Sequence, residues 1–183
     1  MKVLALLGSP RKSGYTASLM NEYIRGLKEK NKNISIKEVF LQKQKIEPCK
    51  ACNWCKKNGN DKCKIDDDMQ KYYKQVKKAD IIIFATPIYW FNISAQMKLF
   101  IDRLYALNFK KFPSDKKIVL LTTFGDTNEK TSGAVNAVNT FNYIAKFLKM
   151  DFIQSFGRSS EVTKKEWKQT LDEAYLLGKK TEI

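Results

Sequence analysis

Ile81-Ile82-Ile83-Phe84-Ala85-Thr86-Pro87 is an unbroken apolar run that closes on a proline. A strand with water on one face alternates apolar and polar residues, whereas one buried on both faces does not. This run therefore predicts a strand inside a covered, parallel sheet. Lys2-Val3-Leu4-Ala5-Leu6-Leu7-Gly8 has the same character, and Lys117 to Phe124 forms a third such segment. Ile34 to Phe40 alternates as a further strand, and Asp151 to Phe156 is a weaker one. Between them lie segments of helical spacing. One covers about 15 to 30, with Leu19, Met20, Tyr23, Ile24 and Leu27 on one face. Another runs to Lys78 behind the acidic start Asp66-Asp67-Asp68, which suits a helix N-terminus. The others are about Ser94 to Leu107, Ser132 to Leu148 and Lys164 to Lys179. Five strands alternating with five helices predict an α/β fold, a doubly wound parallel sheet with helices on both faces. No internal repeat or linker divides the chain. Residues 1–183 read as one domain with a Cys-rich insertion at about 41–64.

Composition narrows the chemistry. A chain of 183 residues, 43% hydrophobic and 29% charged, can bury a core. No apolar run approaches the roughly 20 residues of a membrane helix, and Met1 to Gly8 is too short for a secretory leader. A cytosolic (cytoplasmic) protein is expected. There is no histidine, which excludes Ser-His-Asp and Cys-His nucleophile systems and imidazole zinc ligands. The 34 basic residues against 19 acidic give a net charge of +15, but only Arg11, Arg25, Arg103 and Arg158 are arginines. The lysines are dispersed along the chain instead of forming one stripe, so nucleic acid is not the expected partner. The field would instead attract anionic substrates such as nicotinamide dinucleotides, or acidic redox proteins.

Three strand ends carry polar or aromatic loops. After the first strand comes Gly8-Ser9-Pro10-Arg11-Lys12-Ser13-Gly14-Tyr15-Thr16-Ala17-Ser18. It fits neither the P-loop nor the G-x-G-x-x-G spacing. Its hydroxyls, single Arg and following helix nonetheless make a phosphate site, though a Ser/Thr-capped helix behind a proline turn would look similar. Ala85-Thr86-Pro87-Ile88-Tyr89-Trp90-Phe91-Asn92-Ile93-Ser94 places three aromatics just beyond a strand, where open parallel sheets bind ligands. The same aromatics could cover the core or a subunit contact. The fourth strand ends Thr122-Thr123-Phe124-Gly125-Asp126. A mononucleotide with an aromatic ring system would satisfy all three loops.

The G-S-P-R-x-S-x-x-T-A-S loop, A-T-P-I-Y-W-F-N-I-S and the following Lys98 to Arg103 resemble the NAD(P)H-dependent FMN reductase family of flavodoxin-like proteins. The resemblance covers Lys2 to about Asp126, while the last third matches only in its rhythm. It implies a five-stranded flavodoxin-like sheet and tightly held FMN. Ser9, Arg11, Ser13, Thr16 and Ala17 would hold the phosphate. Pro87, Ile88, Tyr89, Trp90 and Phe91 would line the ring, with Thr122, Thr123 and Gly125 on its other side. Tyr15 departs from the small polar residue the family often has. The implied activity is an oxidoreductase passing electrons from NAD(P)H through FMN to a second acceptor: a quinone, flavin, other small molecule or redox protein. The cofactor does the chemistry and no side-chain acid or base is demanded, with Tyr89 the one candidate proton donor. A homodimer or tetramer is implied, with the Cys and aromatic loops as contact surfaces.

All four cysteines fall in one segment, Cys49-x2-Cys52-x2-Cys55-x7-Cys63. In a cytosolic chain such clustering argues for metal or redox use over disulfides. Three Cys in a C-x2-C-x2-C run are like ferredoxin ligation, and the spacing resembles the iron-sulfur flavoprotein branch of the same family, which carries a 4Fe-4S cluster. That alternative is an electron carrier between FMN and the cluster, with no small-molecule turnover. Free thiols packed under the loop would read identically, and the final gap is long for a compact cluster.

Overall fold

The computed structural model describes residues 1–58, 61–107 and 116–182. In chain order the elements are β1 (Lys2–Leu7), α1 (Tyr15–Lys30), β2 (Ser35–Phe40), α2 (Trp54–Asn58), α3 (Met69–Lys78), β3 (Ile81–Tyr89), β4 (Asn92–Ile93), α4 (Ala95–Arg103), β5 (Lys117–Phe124), α5 (Ala134–Leu148), β6 (Asp151–Ser159) and α6 (Lys164–Lys180). Short 3-10 turns follow β2 and α4.

The parallel sheet runs β2-β1-β3-β5-β6, so the chain leaves β1 for one edge and then crosses back over it. The unalternating strands account for the two cores. Leu4, Leu6, Ile82, Phe84, Ile118 and Leu120 face α3, α4 and α5 with Met97, Phe100 and Phe141. Val3, Ala5, Leu7, Ile81, Ile83, Val119 and Leu121 face the other way, against Leu19, Tyr23, Ile24 and Leu27 of α1 and Ala174 of α6. The flavodoxin-like architecture is as expected, with one correction: there are six strands, not five. The sixth is β4, which folds back antiparallel on the end of β3, pairing Ile88 with Ile93 and Tyr89 with Asn92. The expected strand closes at Pro87, whereas β3 runs on to Tyr89, although a proline cannot donate to a ladder. The Ala85 carbonyl accepts the Gly8 N–H at 2.7 Å. By alternation the Pro87 nitrogen faces the same side, where β1 has already ended at Leu7. The missing N–H therefore costs no ladder bond. Among the described residues, no helix is long and apolar enough to cross a membrane.

α1 and α6 approach until their backbones touch, and glycine permits it. A Cβ on Gly178 would stand 2.0 Å from the Tyr23 carbonyl oxygen, and one on Gly26 2.0 Å from that of Tyr175. The crossing is further tied by a 2.6 Å hydroxyl pair between Tyr23 and Thr181. Overpacking usually costs about 1–3 kcal/mol, and here the obstacle is backbone, which cannot rotate away. Gly178→Ala is expected to lower stability by at least the upper end of that range, read as a shift in urea midpoint with unchanged slope. A midpoint within error of the parent would show that the helices can part freely.

Candidate functional site

A cleft of about 390 Å³ opens at the C-terminal ends of β1, β3 and β5 and is lined by residues of the three loops there, together with Ser160 after β6. It sits where strand order reverses between β1 and β3, the position at which doubly wound sheets bind ligands. The first loop supplies Ser9, Arg11, Gly14, Tyr15 and Thr16. Gly14 is the N-cap of α1 in extended backbone, with no side-chain cap and no acidic residue in the first turn. The opening N–H groups of α1 thus lack the capping oxygen that most helices provide, and the dipole there favours an anion. Ser9 is buried, and its hydroxyl accepts the Arg11 N–H at 3.1 Å, leaving its own proton to donate. Arg11 is exposed and has no carboxylate partner among the described residues. Below the loop, the hydroxyls of Thr16 and Thr123 share a buried hydrogen bond of 2.6 Å that ties α1 to β5.

A buried polar knot pins the loops at their base. Ser94 caps α4 through the Met97 N–H and donates from its hydroxyl to the Gly8 carbonyl at 2.7 Å. Its own N–H donates to the Thr86 hydroxyl at 3.1 Å. One serine therefore fixes the ends of β1 and β3 and the start of α4 relative to one another.

The opposite wall is the β3–β4 hairpin, with Pro87, Ile88, Tyr89 and Trp90 at the cleft. Its two central residues are left-handed, Trp90 at φ 48 and Phe91 at φ 66. Positive φ at both centres of a two-residue hairpin is the type I′ turn, which ordinarily uses Asn-Gly. Two aromatics there cost roughly 1–3 kcal/mol each and persist only where surrounding structure holds them. The turn leaves Trp90 93% exposed.

Nine of the residues singled out in the sequence line the cleft: Ser9, Arg11, Thr16, Pro87, Ile88, Tyr89, Trp90, Thr123 and Gly125. Four do not. Ser13 lies exposed on the outer loop, and Ala17 is buried among the α1 core residues. Phe91 turns away toward the start of α5, where its carbonyl accepts the Asn136 side-chain N–H at 3.0 Å. Thr122 points to the other sheet face, its hydroxyl 2.7 Å from where a Cβ on Gly157 would stand. Gly14, Tyr15, Phe124 and Ser160 also line the cleft. Ser160 was invisible because β6 runs three residues past the predicted Phe156, through a polar end that carries no strand pattern. Tyr15 is braced edge-on by Trp167 of α6, ring centroids 4.5 Å apart. No lining residue is a carboxylate, so the cleft offers hydroxyls, amides, one guanidinium and aromatic surface. That set suits a phosphate-bearing planar ring compound.

The cysteine segment is a separate construction, stapled at its base. Asp68 accepts the Lys45 N–H at 2.8 Å and Asp67 the Glu47 N–H at 2.9 Å. At the start of α3 the N-cap Asp68 makes no side-chain cap bond, but Asp67 accepts the Met69 N–H at 3.0 Å, so the acidic run serves both the helix start and the staple. Arg103 of α4 completes the staple, forking onto both Asp67 oxygens and donating to the Glu47 carbonyl at 2.8 Å. Between the staples, Ala51 and Asn53 are left-handed. Cys49 and Cys52 are exposed, Cys55 and Cys63 half-buried, and all four are free thiols. Burial pushes the Cys55 thiol upward against the opposing Lys56 charge. Among the described residues no three Cys, Asp or Glu side chains are gathered as metal ligands. As arranged, the thiols do not form a cluster ligand set.

Comparison with known proteins agrees with the fold. The NADPH-dependent FMN reductase family matches residues 1–157. An iron-sulfur flavoprotein of Methanosarcina thermophila is 30% identical over 158 residues, 86% of this chain and 81% of that protein. An iron-sulfur flavoprotein of Methanocaldococcus jannaschii is 39% identical over 103 residues, 56% of this chain and about half, 51%, of its own length. Among solved structures, azoreductase AzrA superposes with a TM-score of 0.81 at 20% identity, over 99% of this chain and 100% of that one.

Proposed function

The chain belongs to the NADPH-dependent FMN reductase family, and from that premise we propose that the cleft between the β1–α1 loop and the β3–β4 hairpin is where FMN is held. The protein is an FMN- and NAD(P)H-dependent oxidoreductase. The proposal extends this to the site residues and to the acceptor, a quinone, a flavin or other small molecule, or a redox protein. One observation carries it: an uncapped helix start beside Ser9 and Arg11 faces an aromatic hairpin across a single cleft.

In this reading Arg11, the Ser9 hydroxyl and the first N–H groups of α1 bind the phosphate, with Ser13 at the outer rim and the Ala17 N–H in the same helical turn. The Thr16–Thr123 bond keeps that turn against β5. Pro87, Ile88, Tyr89 and Trp90 orient the ring, and Gly125 leaves room opposite them. Phe91 and Thr122 act behind the wall instead of in it. When bound, FMN would supply the two-electron hydride chemistry between NAD(P)H and the acceptor. No lining residue is a carboxylate, and the chemistry demands no side-chain base; Tyr89 is the candidate hydroxyl for donating a proton. The net charge of +15 favours arrival of the anionic dinucleotide.

The test is to purify the protein, identify released flavin, rebuild the holoprotein from flavin-free material, and follow NADPH and NADH oxidation without oxygen. Stoichiometric FMN that bleaches on adding the nucleotide is expected. Failure to bind FMN after reconstitution would sink the reading.

A second reading, an iron-sulfur electron carrier using Cys49, Cys52, Cys55 and Cys63, is favoured by the left-handed Ala51 and Asn53 that curl the chain between the first three thiols. The names of the two iron-sulfur flavoproteins similar to this chain point the same way. It predicts about four irons and four acid-labile sulfides per chain in protein prepared without oxygen. Values near zero would remove it. Operation in the cytosol, and a homodimer or tetramer, belong to the same proposal. The oligomer is supported by exposed Tyr143 and Phe147 beside an apolar groove of about 490 Å³ that reaches Cys49. Light scattering of the holoprotein would show a monomer if that is wrong.

A further inference from the structure

We propose that Gly133 and Asn136, which open α5, are positioning residues that hold the Trp90–Phe91 turn left-handed and so set the aromatic wall of the cleft. The inference rests on the cofactor reading above and concerns two residues that do not line the cleft.

The turn cannot account for its own shape. Its sequence lacks the Asn-Gly that makes a type I′ turn self-sufficient, yet both centres have positive φ. Its pairing is brief, with Ile88–Ile93 and Tyr89–Asn92 the only two rungs. Something outside the hairpin must select the conformation. The start of α5 touches the turn at Phe91 in two ways. The Asn136 side-chain N–H donates to the Phe91 carbonyl at 3.0 Å. Gly133, itself left-handed at φ 80, lets the chains come together so closely that a Cβ there would lie 2.5 Å from the Phe91 oxygen and 2.6 Å from its Cα. A glycine is required at Gly133 on both counts, its conformation and the lack of space. The bonded carbonyl belongs to the second left-handed residue, so rotation of the turn toward the negative φ these aromatics prefer would break the Asn136 bond and drive Phe91 into Gly133. Trp90, on the outside of the same turn, is thereby kept against the cleft mouth while its ring stays open to solvent.

The experiment uses the full chain labelled with 5-fluorotryptophan, whose three fluorine resonances report Trp54, Trp90 and Trp167. The Trp90 line is assigned with Trp90→Phe. Asn136→Asp is nearly isosteric and lacks the amide donor. It is expected to move or broaden the Trp90 line in flavin-free protein, leave the other two in place, and weaken FMN binding about tenfold. Phe91→Gly makes the turn independent of its support. In that background Asn136→Asp should change FMN affinity less than twofold. An unmoved Trp90 line with FMN affinity within twofold of the parent would overturn the proposal. So would an equal loss of affinity in both backgrounds. Gly133→Ala should give the larger loss, and if it does not fold the Asn136 pair still decides. If the parent protein binds no FMN, the cofactor reading fails, while the Trp90 line in flavin-free protein still tests the support.

Discussion

Arg103→Met is expected to cost about 3–5 kcal/mol of stability, because it strands a buried carboxylate. The side chains of Arg103 and Asp67 are only 1% and 5% exposed, and their fork-on contact is 2.5 Å at its shorter arm. Burial pushes the Asp67 pKa up, but hydrogen bonds from Arg103 and from the Glu47 and Met69 N–H groups outweigh it and hold the carboxyl below its usual range. Removing Arg103 takes away the opposing charge and leaves only the two backbone N–H bonds against burial. The same change frees the Glu47 carbonyl, so the cysteine segment should loosen together with the fold. Urea midpoints at neutral pH measure the first effect, and the rate of thiol labelling at half-buried Cys55 and Cys63 measures the second. The pH dependence follows from the sign of the shift. A carboxyl whose folded pKa is depressed contributes stability that is present above its unfolded value of about 3.9 and is lost as pH falls below it. The parent should therefore lose stability more steeply below about pH 4 than Asp67→Asn, already weaker at neutral pH. Parallel acid limbs would show that Asp67 is not the group responsible.

Arg11→Ala is expected to weaken FMN binding roughly 10- to 100-fold, the worth of one charge-assisted hydrogen bond, while riboflavin binding changes less than twofold. The contrast matters more than the size, since riboflavin has the ring and side chain but no phosphate. Arg11 lines the cleft beside the start of α1 without a competing carboxylate among the described residues, so its charge is available to the proposed ligand. Flavin fluorescence titration of the flavin-free protein gives both constants. Equal losses for the two flavins would move the phosphate elsewhere in the cleft.

The two predictions differ in how far the sequence foretold them. Arg11 sits in a loop whose hydroxyls and helix start are contiguous, so its environment could be read from eleven consecutive residues. The Arg103–Asp67 fork joins residues 36 apart, and nothing local marks either as paired. An acidic run before a helix is ordinarily a cap, and here Asp67 does accept the Met69 N–H, but tertiary contact also claims Asp67 and Asp68 for the segment starting at Lys45. The choice between Thr122 and Thr123 was likewise hidden. On a strand with apolar residues on both faces, polarity cannot tell which parity faces the cleft, and only the partner hydroxyl of Thr16 decides.

The sequence by itself determined the doubly covered sheet, the order of its elements and the loops that meet at its carboxyl edge. Those follow from apolar periodicity and local turn chemistry, which act over a few residues. Tertiary structure alone decided the sixth strand, the left-handed aromatic turn and the staple under the cysteines. The turn opposes a local preference, since tryptophan and phenylalanine avoid positive φ, and the staple adds distant partners to an aspartate that also serves its own helix start. Each is held by residues distant in the chain, at Gly133, Asn136 and Arg103. A preference worth about 1 kcal/mol yields to several contacts made together, and those contacts exist only once the chain has folded.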